Sequence, residues 1–186
     1  YGLEFDKLIN DKKFFDTKIA TIHRLKQDKN LPNNNNLGSK TSDIIGQINF
    51  IPNDIFKIGY DFSIDENIDD TNYQMLNTEI TLNRFSTSFE YLNQNNTLKN
   101  DSYLSNKTAY NLNDTKSLIY ESRENKTTGQ VEFYNLIYQY QNDCLKAAIE
   151  YNKNYYNDRD YKPEENIFIK LTIIPFGAAS SPNIRK

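Results

Sequence analysis

Few residues in this chain could do side-chain chemistry. It holds one cysteine, Cys144, and one histidine, His23. A single cysteine cannot close a disulfide within the chain, which leaves the redox compartment open. His23, in "KIATIHRLK", has no second histidine and no cysteine at ligand spacing, so it reads as a strand residue with no metal site. Asp69-Asp70 and Glu164-Glu165 are paired acids with no base near them in sequence, and they read as solvated loop charge. Asp158-Arg159-Asp160 reads as a local ion-paired loop. No nucleophile, base and orienting group converge, so neither an enzyme nor a bound cofactor is expected.

The elements that carry these residues are unusual for a soluble domain. Hydrophobic residues make up 37% of the 186, low for a packed core, and aromatics reach 13%, all of it Tyr and Phe. The net charge is -3, from 22 basic and 25 acidic residues that are well mixed, which argues against a nucleic-acid stripe or a polybasic membrane anchor. No apolar run approaches the roughly 18 to 20 residues of a membrane helix, and no signal peptide is visible. The chain opens at "YGLEFDKL", already in strand-like alternation and without an initiator Met, and reads as a piece of something longer.

Period two runs almost throughout. In 54–65, Phe56, Ile58, Tyr60, Phe62 and Ile64 alternate with Lys57, Gly59, Asp61, Ser63 and Asp65. In 84–93, Phe85, Thr87, Phe89 and Tyr91 alternate with Ser86, Ser88 and Glu90. In 144–155, Leu145, Ala147, Ile149 and Tyr151 alternate with Lys146, Ala148, Glu150 and Asn152. In 166–177, Ile167, Ile169, Leu171 and Ile173 alternate with Phe168, Lys170, Thr172 and Ile174. Such alternation predicts strands with two unlike faces. Short breaks fall at 52–54, 83–84, 113–114 and 142–143, where Asn and Asp tolerate the positive φ of tight hairpins. Longer polar breaks fall at 27–42, 65–72, 93–101, 124–128 and 157–166. The pattern is strand, tight turn, strand, long loop, repeated over about eleven strands, most of them of roughly ten residues.

Strands of soluble proteins are usually nearer five or six residues, whereas about ten, tilted, cross a bilayer. The fold class expected is therefore all-β: an antiparallel transmembrane β-barrel of the bacterial outer membrane. Its apolar face would meet outer-membrane lipid and its polar face the lumen. Lys57, Asp61, Glu79, Glu90, Lys107, Glu121, Lys146, Glu150 and Lys170 would face the lumen. An odd strand count does not close a bacterial barrel, so either the count is off by one or residues 1–176 are one arc of a larger wall, which the abrupt opening of the chain favours, with 177–186 as a disordered tail. Pro175 follows Ile173-Ile174 and reads first as a strand terminator, with a weakened rung at a closing strand as the alternative.

The run "YNLIYQYQNDCLKAAIEYNKNYYNDRDYKPEENIFIKLTIIPFG" (134–177) resembles the C-terminal end of the lipopolysaccharide-assembly outer-membrane protein family, the LptD family. The features in common are a Tyr-rich strand, a tight turn at Asn142-Asp143, Cys144, an alternating strand, a loop with Asp158-Arg159-Asp160 and Pro163, and a last apolar strand. The resemblance implies lipopolysaccharide transport to the outer leaflet through a lateral gate, in a barrel of about 26 strands, at the large end of the range. It implies a plug lipoprotein inside the barrel and a periplasmic lipopolysaccharide-transport bridge as partners. The gate strand would carry Ile167, Ile169, Leu171, Ile173 and Pro175. The family has a Cys doublet near this turn that pairs with cysteines of its N-terminal region; here the doublet's place holds Cys144-Leu145, so the resemblance implies at most one such bond. A free thiol is the alternative. For the paired acids, the alternative is a divalent ion bridging lipopolysaccharide phosphates. The other functions weighed are a porin or channel barrel, and a soluble β-rich adhesin or sugar-binding module.

Overall fold

The computed structural model describes residues 1–31, 36–96, 99–155, 164–174, 177–180 and 184–185. Every long element in them is a strand. Eleven strands follow one another: β1 (Gly2–Ile9), β2 (Lys12–Ala20), β3 (Ile44–Phe50), β4 (Phe56–Ile64), β5 (Thr71–Leu82), β6 (Phe85–Asn96), β7 (Lys99–Asn113), β8 (Lys116–Asn125), β9 (Gln130–Gln141), β10 (Leu145–Asn154) and β11 (Glu164–Ile173). Two short strands complete the sheet, β12 (Gly177–Ser180) and β13 (Ile184–Arg185). Among the described residues the order runs from β1 to β12 in sequence, and β13 pairs with β11. By contacts the chain divides into two units, 1–79 with 90–103 and 80–89 with 104–186.

In the first unit, β2, β3 and β4 fix the faces. Phe15 stands opposite Phe50, Thr17 opposite Ile48 and Ile19 opposite Gly46. Across the next ladder Ile64 faces Ile44, Phe62 faces Gly46 and Tyr60 faces Ile48. One face is therefore apolar, and Asp16, Lys18, Gln47, Asn49, Asp61 and Ser63 share the other. A one-residue slip would exchange the faces entirely, which is why the alternation in sequence sets the register. In the second unit, Tyr138 and Ile169 flank Ile149, while Leu136 and Ile167 flank Tyr151. The opposite face carries Lys146, Glu150, Asn152, Lys170 and Thr172.

The turns form for a reason other than the one expected. Positive φ is absent at 52–54, 83–84, 113–114 and 142–143, and is found at Asn10 and Asp11, the two-residue turn between β1 and β2. At three of those breaks the asparagine acts through its side-chain oxygen. Asn53 Oδ1 accepts from the amides of Ile55 and Phe56, at 3.0 and 2.9 Å. Asn142 Oδ1 accepts from Cys144 and Leu145, at 3.0 and 2.7 Å. Asn113 Oδ1 accepts from the Thr115 amide and hydroxyl, both at 3.0 Å. These are Asx turns, in which the side chain stands in for a backbone carbonyl.

Several sequence boundaries shift. Residues 93–96 and 99–101, expected in a loop, continue β6 and β7. Glu164 and Glu165, also expected in a loop, open β11, where Glu165 stands opposite Lys153 and pairs with it at 2.7 Å. Residues 177–180, read as tail, form β12 against Lys170–Ile173. In the first two cases polar composition masked the strand, and in the third a run of small residues did.

Candidate functional site

The candidate site is the contrast between the two faces. Among the described residues, the buried apolar set is Ala148 alone, at 8% exposure. The buried polar set is larger: Asp16, Ser42, Asp43, Ser63, Thr87, Asn125 and Asn166. Large apolar side chains stay open, with Ile149 at 53% and Ile169 at 51%, and Leu136, Tyr138, Leu171 and Ile173 also exposed. A water-soluble fold buries the second kind and exposes the first.

The polar face is cross-linked by hydrogen bonds and ion pairs. Lys57 meets Glu79 at 3.3 Å, and Lys107 meets Glu121 at 2.7 Å. Glu121 also accepts from the Asn135 amide at 3.3 Å, and Asn152 in turn donates to Asn135. Lys170 bonds Glu150. Of the residues expected to face the lumen, the structure thus joins Lys57 to Glu79, Lys107 to Glu121 and Glu150 to Lys170. Asp61 stands opposite Gln47, and Lys146 stands between Gln141 and Thr172. Glu90 lies on β6, flanked in sequence by Phe89 and Tyr91. This face is mixed in the second unit, because Ile137 and Phe168 stand opposite Glu150.

Sequence reasoning missed the tightest polar knot. Asp43, just before β3, is 1% exposed. Its carboxylate accepts from Asn36 at 2.7 Å, Asn72 at 2.8 Å and the Ser63 hydroxyl at 2.9 Å. Ser42 beside it accepts from the Ile22 amide at 2.9 Å. The knot ties the loop between β2 and β3 to the ends of β4 and β5. Its members are far apart in sequence, so no local pattern could have announced it. The apolar face has its own device. Phe62 lies against Gly46, and a Cβ there would come within 2.1 Å of the ring. Glycine at that position is what lets the ring lie flat on the neighbouring strand.

Two carboxyls outside the strands are shifted. Lys12 Nζ bonds both oxygens of Asp54, at 2.9 and 2.8 Å, and holds that carboxyl below the usual range. Asp65 is held low chiefly by the Asp70 amide, with the amides of Asp69 and Asn67 adding to it. Asp69 and Asp70 therefore act here through their backbones.

Cys144 is free and exposed. It sits in the β9–β10 turn, where its carbonyl accepts from the Ile174 amide at 2.9 Å. Beside it the turn ends of the second unit enclose a polar hollow of about 880 Å³, lined by amides such as Asn111, Gln139 and Gln141 and by Arg84 and Lys116. His23 lies beyond the end of β2, bridged to Thr41 with its ring nitrogen 3.1 Å from the Thr41 hydroxyl. Ile167, Ile169, Leu171 and Ile173 share the apolar face of β11. Pro163, Pro175 and Asp158-Arg159-Asp160 lie outside the described residues. No group of three or more His, Cys, Asp or Glu side chains placed to hold a metal occurs among the described residues. No helix is long and apolar enough to cross a membrane, which says nothing about crossing by strands. No protein-family model matches the chain, and no curated protein matches it.

Proposed function

We propose that this chain is part of the wall of an outer-membrane β-barrel, with lipid against its apolar face and water against its polar face. The observation that carries the reading is the inverted burial: among the described residues, Ala148 alone is a buried apolar residue, against seven buried polar ones. In water, each of these half-exposed Ile and Leu side chains would forfeit part of the about 1.5–3 kcal/mol that full burial gives. In a bilayer the same side chains are already at home, and the backbone is satisfied strand to strand.

Within that reading the cargo is lipopolysaccharide, and β11 is one lip of the lateral gate through which it passes to the outer leaflet. This finer statement is supported by the resemblance of 134–177 to the lipopolysaccharide-assembly family, and by Cys144 standing exposed in a turn where a bond to a cysteine elsewhere could reach it. The periplasm permits such a bond.

The test is fractionation of the protein from native membranes, wild type beside Cys144→Ser, on gels with and without reductant. Retention in the outer membrane through an alkaline wash is the expected result, and release as soluble protein would overturn the wall. A reductant-sensitive mobility in wild type alone is expected for the assembly reading. A Cys144 that labels freely with a maleimide in unreduced protein would overturn that part and leave a plain channel.

A further inference from the structure

We propose that the polar face of the second unit carries a binding site for a small hydroxylated carboxylate, seated over Ala148 between β9 and β11. The site needs only the ladders that join β9, β10 and β11, and it stands whether or not the sheet is a membrane wall.

The hollow exists because one side chain is short. Along β10 the polar face presents Lys146, Ala148 and Glu150. A rise of about 3.3 Å per residue sets the two charged residues roughly 13 Å apart, with only a methyl group between them. Gln139 on β9 and Lys170 on β11 stand opposite Ala148, while Ile137 stands opposite Glu150 and Thr172 opposite Lys146. Together they line a hollow of about 300 Å³, room for about ten water molecules. Its charges are not balanced. Lys170 is bonded to Glu150, and its ammonium also lies 5.8 Å from the centre of the Phe168 ring. Lys146 makes no hydrogen bond or ion pair among the described residues. The hollow thus holds one cation in excess, which calls for a single negative charge. A phosphate monoester, at about −1.5 to −2, exceeds it and crowds the Glu150 carboxylate, whereas a carboxylate matches it. The neutral groups select the rest of the ligand. Gln139 Nε2 donates to Gln141 Oε1 at 3.4 Å and keeps its own side-chain oxygen as an acceptor. Glu150 accepts as well, and the Thr172 hydroxyl both donates and accepts. Hydroxyl groups suit all three positions, and the methyl of Ala148 and the side chain of Ile137 take the carbon skeleton.

The experiment is equilibrium dialysis of the full chain in detergent against radiolabelled gluconate, with unlabelled sorbitol and acetate as competitors. Gluconate is expected to bind at one site per chain. Sorbitol offers only the hydroxyls and acetate only the charge, so each is expected to compete at least about tenfold more weakly than unlabelled gluconate. Lys146→Gln is expected to weaken gluconate binding at least about tenfold, and Ala148→Leu, which fills the hollow, to abolish it. No saturable binding of gluconate by the wild type would overturn the site. Acetate competing as well as gluconate would overturn it too, since the lysines would then hold any small anion, and sorbitol competing as well would remove the role of the charge. Unchanged binding by Lys146→Gln would also overturn it. The Lys146 side chain is exposed, so that variant keeps the fold and decides the matter even where Ala148→Leu fails to fold. None of these outcomes depends on where the chain fractionates, so a failure of the wall reading stays distinguishable from a failure here.

Discussion

Ile149 and Glu150 are neighbours in β10 and live in different worlds. Ile149 has Tyr138 and Ile169 beside it, all three on a face where large apolar groups are left open. Glu150 is bonded to Lys170, in a face where polar groups satisfy one another. Unit by unit the same contrast recurs: Phe62 over Gly46 on one side of the first unit, and the Asp43 knot with Ser63 and Asn72 toward the other. The difference teaches that the two faces are held by different interactions, an open apolar one and a polar one that buries Asp16, Asp43 and Asn166.

The sharpest way to break the comparison is a charge on the apolar face. Ile169→Arg, in the middle of β11, should lose about 2–4 kcal/mol in denaturant titrations of protein folded into lipid vesicles. A loss below 1 kcal/mol would place Ile169 away from lipid. Next is Asp43→Ala, which leaves the buried Ser63 hydroxyl and the part-buried amides of Asn36 and Asn72 without their shared acceptor and should cost about 2 kcal/mol in the same titration. Gly46→Ala forces the Phe62 ring aside and should cost about 1–2 kcal/mol; the double change with Phe62→Leu should recover most of it. Lys57→Ala removes an exposed ion pair and should shift stability by less than about 1 kcal/mol. The smallest effect concerns pH. Asp65 is lowered in the folded state, so its contribution is full above the ordinary carboxylate value of about 3.9. It then fades as pH falls through the lower folded value. Amide exchange at Asp69 and Asp70 should quicken across that window, and Asp65→Asn should remove the dependence.

How much of this was legible follows from the range over which each feature is encoded. Strand identity and face are local, and the alternation at 54–65 and 144–155 foretold β4 and β10 to within a residue or two. The ion pairs Lys57–Glu79 and Glu150–Lys170 needed only the face and the ladder. The Asp43 knot joins residues from 36 to 72 and had no local signature. The β1–β2 turn at Asn10-Asp11 did have one, an Asn-Asp pair between two alternating runs, and it was not among the breaks read from the sequence. Breaks of Asn and Gln were overread as loops, since at 93–101 the same side chains sit comfortably on the strands β6 and β7.

The asparagine-capped turns have a last consequence, for how this molecule ages. A chain with 27 asparagines is open to slow loss of amide nitrogen, which turns Asn into Asp. At Asn53, Asn113 and Asn142 the working atom is the side-chain oxygen, and a carboxylate offers the same acceptor to the same amides. Asp65 already does that job with the amides of Asp69 and Asp70. Where that loss yields aspartate rather than isoaspartate, those hairpin ends therefore keep their hydrogen bonds.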